Sequence, residues 1–183
     1  MNTRAFVIAL FVLFILISCA PANEVANEYE KYYEEGLKSI ESREFDKAIV
    51  SLTTAINIDP ENTLAYLQRT RAYRYVYEYE KALQDIDKVL EIDPDNYDAH
   101  FLRGLLLSDI KRYDDAINAF TFALELSNEN KEALFHRGFA HSNIREYKLA
   151  IDDFQQYLIY VPDTPNRERI EAMIESLETK IGK

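Results

Sequence analysis

One period runs through most of the 183-residue chain. Ala48, Ala82, Ala116 and Ala150 stand 34 residues apart, and Phe45, Tyr79, Tyr113 and Tyr147 keep the same spacing three positions earlier. Pro60, Pro94 and Pro162 share a second phase, with Asn128 at the remaining turn. Gly36, Gly104 and Gly138 share a third, with Thr70 in the odd place. A period of this length marks a stack of small helical units, none able to bury its apolar face alone. Proline cannot extend a helix, so its phase marks where one helix ends and the chain resets. Glycine inside a helix costs about 1 kcal/mol against alanine, so three in phase imply that backbones approach closely there. With 4 Gly and 5 Pro against 13 Tyr and 10 Phe, the composition agrees with helices and short turns.

The pattern resembles the tetratricopeptide repeat, a helix–turn–helix unit of 34 residues. The units are 29–62, 63–96, 97–130 and 131–164. Counting from each start, the family expects small residues at positions 8, 20 and 27, a large one at 24 and proline at 32. Gly36, Ala48, Leu52, Ala55 and Pro60 fill these places in the first unit, and Gly104, Ala116, Phe120 and Ala123 in the third. Thr70, Asn128 and Tyr157 depart from the pattern, Tyr157 most, at position 27 of the last unit. The resemblance implies an all-α solenoid, a right-handed superhelix of helix pairs. Beyond it, Thr164-Pro165 reads as an N-cap and first-turn proline. Ile170, Met173, Leu177 and Ile181 then form one amphipathic stripe, so 165–183 is predicted as a capping helix, with Tyr157 facing it.

The N-terminus has a positive start at Arg4 and an uncharged run from Ala5 to Ser18. That run is short for a bilayer span and suits a signal peptide. It ends in Leu16-Ile17-Ser18-Cys19, which resembles the lipobox of bacterial lipoproteins. The resemblance implies a signal peptide over 1–18, a diacylated (palmitate-type) Cys19, and a short tether over 19–28. Ala20 in place of aspartate after the cysteine implies the periplasmic face of the outer membrane in a Gram-negative cell envelope. An uncleaved anchor helix is the alternative.

Thirty-two acidic residues against 21 basic ones leave a net charge of −11, which disfavours nucleic acid as a partner. The single cysteine excludes a disulfide framework or a multi-cysteine metal site. No phosphate loop, GxSxG, HExxH or calcium loop is present. His100, His136 and His141 have no metal-ligand spacing and read as surface or groove side chains. The chain is therefore read as a non-enzyme without cofactor or metal.

Arg69, Arg103 and Arg137 share position 7, and Asp85 and Asp153 share position 23 on the partner helix. A buried guanidinium needs a partner, so Arg69–Asp85 and Arg137–Asp153 are predicted as structural ion pairs. Arg103 breaks the scheme, because Ala119 occupies its position 23. The family resemblance places positions 5, 9 and 12 on a concave groove. Tyr33, Leu37, Leu67, Phe101, Leu105, Phe135 and Phe139 then predict an apolar surface, with a basic spot at Arg71 and Arg74. The lysine/asparagine/arginine clamp of chaperone-binding repeats is absent: its places hold Tyr33, Leu37, Gln68, Asp98 and Leu102. The expected function is a membrane-tethered adaptor that docks a protein or peptide near the same membrane. A carrier of a lipid or small apolar ligand, and a self-associating structural protein forming homo-oligomers, are the alternatives.

Overall fold

A computed structural model describes residues 22–127 and 131–182. Among the described residues the chain is all helix and turn, in nine helices. These are α1 Ala22–Glu41, α2 Phe45–Ile58, α3 Thr63–Tyr75, α4 Tyr79–Ile92, α5 Tyr97–Asp109, α6 Tyr113–Leu126, α7 Glu132–Asn143, α8 Tyr147–Tyr160 and α9 Arg167–Ile181. The second helix of each unit (α2, α4, α6, α8) has 14 residues and starts at the aromatic residue of the period. Asn62 and Asn96 cap α3 and α5 through side-chain oxygens that accept from Leu64 N and Ala99 N.

The turn inside each unit repeats as faithfully as the helices. Arg43, Tyr77, Lys111 and Arg145, again 34 apart, have φ of 59°, 62°, 62° and 67°. In the third unit Arg112 N donates to Leu107 O at 2.8 Å and Lys111 N to Ser108 O at 3.0 Å, and the other three turns repeat both bonds. This is the Schellman closure, which satisfies the last carbonyls of the helix and requires one left-handed residue. A residue with a Cβ pays about 1 kcal/mol or more for that conformation.

Inside each unit the two helices meet where position 8 faces position 24. A Cβ on Gly104 would stand 2.5 Å from Cε1 of Phe120, and one on Gly36 would stand 2.6 Å from Cγ of Leu52. Thr70 fits in the second unit, where the opposing residue is Ile86, smaller than phenylalanine; its hydroxyl donates to Ala82 O at 3.5 Å. Leu52, Ile86, Phe120 and Phe154 are wholly buried, as are the four alanines at position 20. Each second helix then packs on the first helix of the next unit, and α8 packs on α9. Successive first helices (α1, α3, α5, α7) touch one another, whereas second helices make no comparable approach. The first helices thus form the inner side of the curve and the second helices the outer side. Tyr157 is buried in one cluster with Ile170 and Leu177 of α9.

The position-7 arginines sit between units. Arg69 donates from Nε and Nη2 to Asp85 at 2.8 and 2.6 Å, and from Nη1 to Thr53 Oγ1 at 2.8 Å. Arg137 repeats this with Asp153 at 2.9 and 2.7 Å and with Thr121 at 3.1 Å. One guanidinium thereby ties both helices of its own unit to the second helix of the unit before. Burial pushes the Asp85 carboxyl above its ordinary value, and the bonds from Arg69 pull it back only in part. Such a pair specifies how units seat on each other more than it adds net stability.

Two boundaries differ from the sequence reading. The stretch read as tether, 19–28, is helical from Ala22 onward. It is rich in alanine and glutamate, and no preceding unit forces a turn there. The capping helix starts at Arg167, not at residue 165. Thr164 is buried and organises the turn before it: its Oγ1 accepts from Asn166 N at 3.4 Å, and its carbonyl accepts from Arg167 N. Ile181 is exposed, so the apolar stripe ends at Leu177. Cys19 and Asn128 lie outside the described residues.

Lys111→Gly, which removes the left-handed penalty, should gain roughly 1 kcal/mol. Gly104→Ala should lose about 1–3 kcal/mol by overpacking against Phe120. Opposite shifts of the two melting temperatures are the check. Arg137→Leu strands Asp153, whose other basic neighbour is His141 at 3.9 Å. The cost should be about 3 kcal/mol, the low end for a buried pair, because the Arg137 side chain keeps 21% of its surface exposed. Adding Asp153→Leu should restore much of that loss; strictly additive effects in the double-mutant cycle would show that the two do not interact.

Candidate functional site

The inner face is where first helices of all four units converge, and the side chains predicted for it divide into three sets. Leu67 and Leu105 are not on an open surface: they are 4% and 8% exposed and belong to the core. Phe101 and Phe135 are half-buried. Phe101 stacks on Tyr97 at 6.0 Å and packs against Phe120 and His136, and Phe135 packs against Phe154 and Tyr157. Tyr33 and Leu37 are half-buried, and Tyr33 stacks on Tyr29 at 5.7 Å. Phe139 alone of the seven is exposed, at 45%. The physical reason is the contact between successive first helices, which spends position 5 on joining units. The predicted apolar groove therefore contracts to Phe139 and its surroundings.

The predicted basic spot is also neutralised. Arg74 holds Asp109 of α5 through two bonds, Nε at 2.5 Å and Nη2 at 3.3 Å. Arg71 bonds Gln68 at 3.2 Å and lies 3.8 Å from Asp98. Both links bridge α3 to α5 across the inner face. They clamp the second unit to the third where the outer-face arginine scheme is interrupted at Arg103.

Of the three histidines read as surface or groove side chains, His141 and His136 are packed in instead. His141 is buried, with Nδ1 2.6 Å from Glu146, and sits beside the Arg137–Asp153 pair. His136 lies in an aromatic nest, stacked on Phe120 at 5.8 Å and edge-on to Phe101 and Phe135. Position 6 carries no periodic signal that would have flagged it. Desolvation lowers its pKa from 6.5 to about 4; the nearby positive charge of Arg74 adds to the shift and Asp109 opposes it. Near neutral pH the ring is therefore an uncharged aromatic plate. Among the described residues no group of three His, Cys, Asp or Glu is placed to hold a metal ion, and no helix is long and apolar enough to cross a membrane.

The lowered pKa has a sign. Between 6.5 and about 4 the unfolded chain binds a proton at His136 that the folded chain refuses, so stability falls as pH falls through that window. From pH 6.5 to pH 5 the loss should be about 1.5 kcal/mol. His136→Phe should flatten that segment of the stability profile, measured by denaturant unfolding at several pH values. An unchanged slope would place the titration elsewhere.

Comparisons with known proteins agree with this architecture. Family models described as tetratricopeptide repeat match residues 86–118 and 104–167. Among solved structures, the MamA protein superposes with a TM-score of 0.76 at 20% identity, covering 86% of this chain and 84% of that one. The Pseudomonas aeruginosa pilF protein gives 0.75 at 21% identity, with 86% and 70% covered. The TPR domain of Arabidopsis OM64 gives 0.62 at 27% identity, with 64% and 98% covered. No curated protein matches in sequence. With its helices in a 34-residue register and two family models matched over residues 86–167, the chain has the all-α tetratricopeptide-repeat fold.

Proposed function

We propose that the chain is a lipid-anchored adaptor of the bacterial cell envelope whose inner face docks a protein or peptide. The repeat fold is an interaction scaffold; the anchor and the docking surface are the proposal. The observation that carries the docking surface is Phe139, an exposed aromatic ring on the inner face of the last unit. Affinity at such surfaces concentrates in a few aromatic anchors. A protein partner fits better than a lipid. The depressions along α1 and α2 are open, and the charged ends of Glu30, Lys31, Glu34, Glu35, Lys38, Asp46 and Lys47 are at hand there for a protein surface to pair with.

The anchor reading rests on Cys19 closing the lipobox. Only Ala20 and Pro21 stand between Cys19 and Ala22, where α1 begins, so three Cα-to-Cα steps join them. At roughly 3.3–3.6 Å per residue they reach about 10 Å. The first unit would then stand directly on the membrane, and the partner would be one that meets it there.

Two measurements test this. Cys19→Ser should move the full chain from the detergent phase to the aqueous phase, or leave an uncleaved precursor. A photo-crosslinking residue at Phe139 should capture a discrete protein in native membranes, while one at Val50, exposed on α2, should not. Wild-type protein free and unlipidated in the aqueous phase would overturn the anchor. Equal crosslinking from both positions would overturn the docking face, and a crosslink to a second copy of the chain would replace adaptor by self-association.

A further inference from the structure

The three position-7 arginines stand at the same register of their helices and have unequal surroundings. In the second and fourth units the fork is closed by an aspartate at position 23, at 2.6 to 2.9 Å. The preceding unit offers it a threonine at position 25, Thr53 or Thr121. The third unit changes both places. Position 23 holds Ala119, and position 25 of the unit before holds Asp87. Asp87 does not replace the missing aspartate: its Oδ1 stands 3.6 Å from Arg103 Nη2, outside hydrogen-bond distance, and the two side chains are 59% and 42% exposed. A pair that open contributes little.

Over Ala119 the structure has a pocket of about 360 Å³, between α4 and α6 with α5 as its floor. Arg103, Ala119, Asn118, Leu107, His100 and Phe122 are among the residues that line it, with His100 and Phe122 together at one end. Phe122 is largely exposed on the outer face and stacks on His100 at 5.5 Å, and His100 Nε2 is 2.9 Å from Pro94 O. Arg112, also at the rim, is taken up by Asp115 at 2.7 Å. The volume lies at the small end of the range for ligand pockets.

We propose that this outer-face pocket binds a carboxylate joined to a flat apolar group. The carboxylate occupies the place that Asp85 and Asp153 fill in the neighbouring units and takes the Arg103 fork in the same two-pronged way. The apolar group lies against Phe122. The fold itself shows twice where a carboxylate sits against this arginine, and in the third unit it leaves that place without a carboxylate, in a pocket that has an aromatic ring at its rim. A ligand must displace only Asp87, which is held weakly. Two sources share this chemistry: a free aryl-alkyl acid, and an acidic side chain beside an aromatic residue on a peptide.

The test is a titration of the full chain in detergent, followed by amide chemical shifts over α5 and α6. The probes are 3-phenylpropanoate, its neutral counterpart 3-phenylpropanol, and the blocked dipeptide N-acetyl-Phe-Glu-amide. At least one acid should saturate, and the alcohol should bind at least tenfold more weakly. Saturation by phenylpropanoate assigns the pocket to free acids; saturation by the dipeptide alone assigns it to an acidic peptide. Arg103→Gln should weaken binding at least tenfold. Asp87→Asn, which removes the competitor, should strengthen it severalfold. Ala119→Asp supplies the carboxylate from within and should abolish binding with the melting temperature maintained or raised. If Ala119→Asp unfolds the chain, the Arg103 and Asp87 variants still decide. No saturation by either acid, or affinity indifferent to Arg103→Gln, would overturn the proposal.

Discussion

The close approach of two helices where position 8 meets position 24 is the contact on which the array depends. In three units a glycine lets the facing helix bring a leucine or phenylalanine side chain to where a Cβ would stand, at 2.5 to 3.0 Å. That contact sets the distance within each pair. The 14-residue second helices and the left-handed turn residue set its angle. Once the pair is set, the arginine fork of position 7 has one place to go, because its partners on both helices and on the unit before lie at fixed offsets. Periodicity in the sequence is thus a record of one packing solution applied four times.

Phe101 shows why the fold was more legible than the site. Its place on the inner side of the first helix followed from register. Its exposure did not, because exposure depends on what the next unit lays over it, and His136 at position 6 belongs to no repeating pattern. Leu67 and Leu105 were misplaced on the groove for the same reason: a residue at the inner edge of a helix is groove or joint according to how closely successive first helices approach. Arg71 and Arg74 read as a basic spot because their counterions, Asp98 and Asp109, come from the following unit. Arg69 and Arg137 were legible because their aspartates stand in the same unit, at a fixed sequence distance.

The same logic explains the two boundary shifts. Between units, a turn is enforced by the need to seat the next helix, and the period locates it. At the ends nothing enforces it, and local chemistry decides. The alanine- and glutamate-rich start continues as helix to Ala22, and Thr164 holds a turn that delays the last helix to Arg167. End effects of this kind lie outside what a repeat pattern encodes.

A solenoid also lets a unit depart from the pattern at little cost to the rest, since each unit contacts only its neighbours. The third unit uses that freedom on both faces. On the outside, Ala119 and Asp87 stand where aspartate and threonine stand elsewhere and neither closes the fork, so Arg103 is left half-engaged over a pocket. On the inside, the clamp from Arg74 to Asp109 secures the joint that the outer fork no longer closes. Arg103 stands at that joint with Asp87 3.6 Å away and an aromatic ring at the rim of the pocket. In a chain built by repetition, the residues that obey the period carry the fold, and a charged residue that obeys it while its partner does not is where a ligand is to be sought.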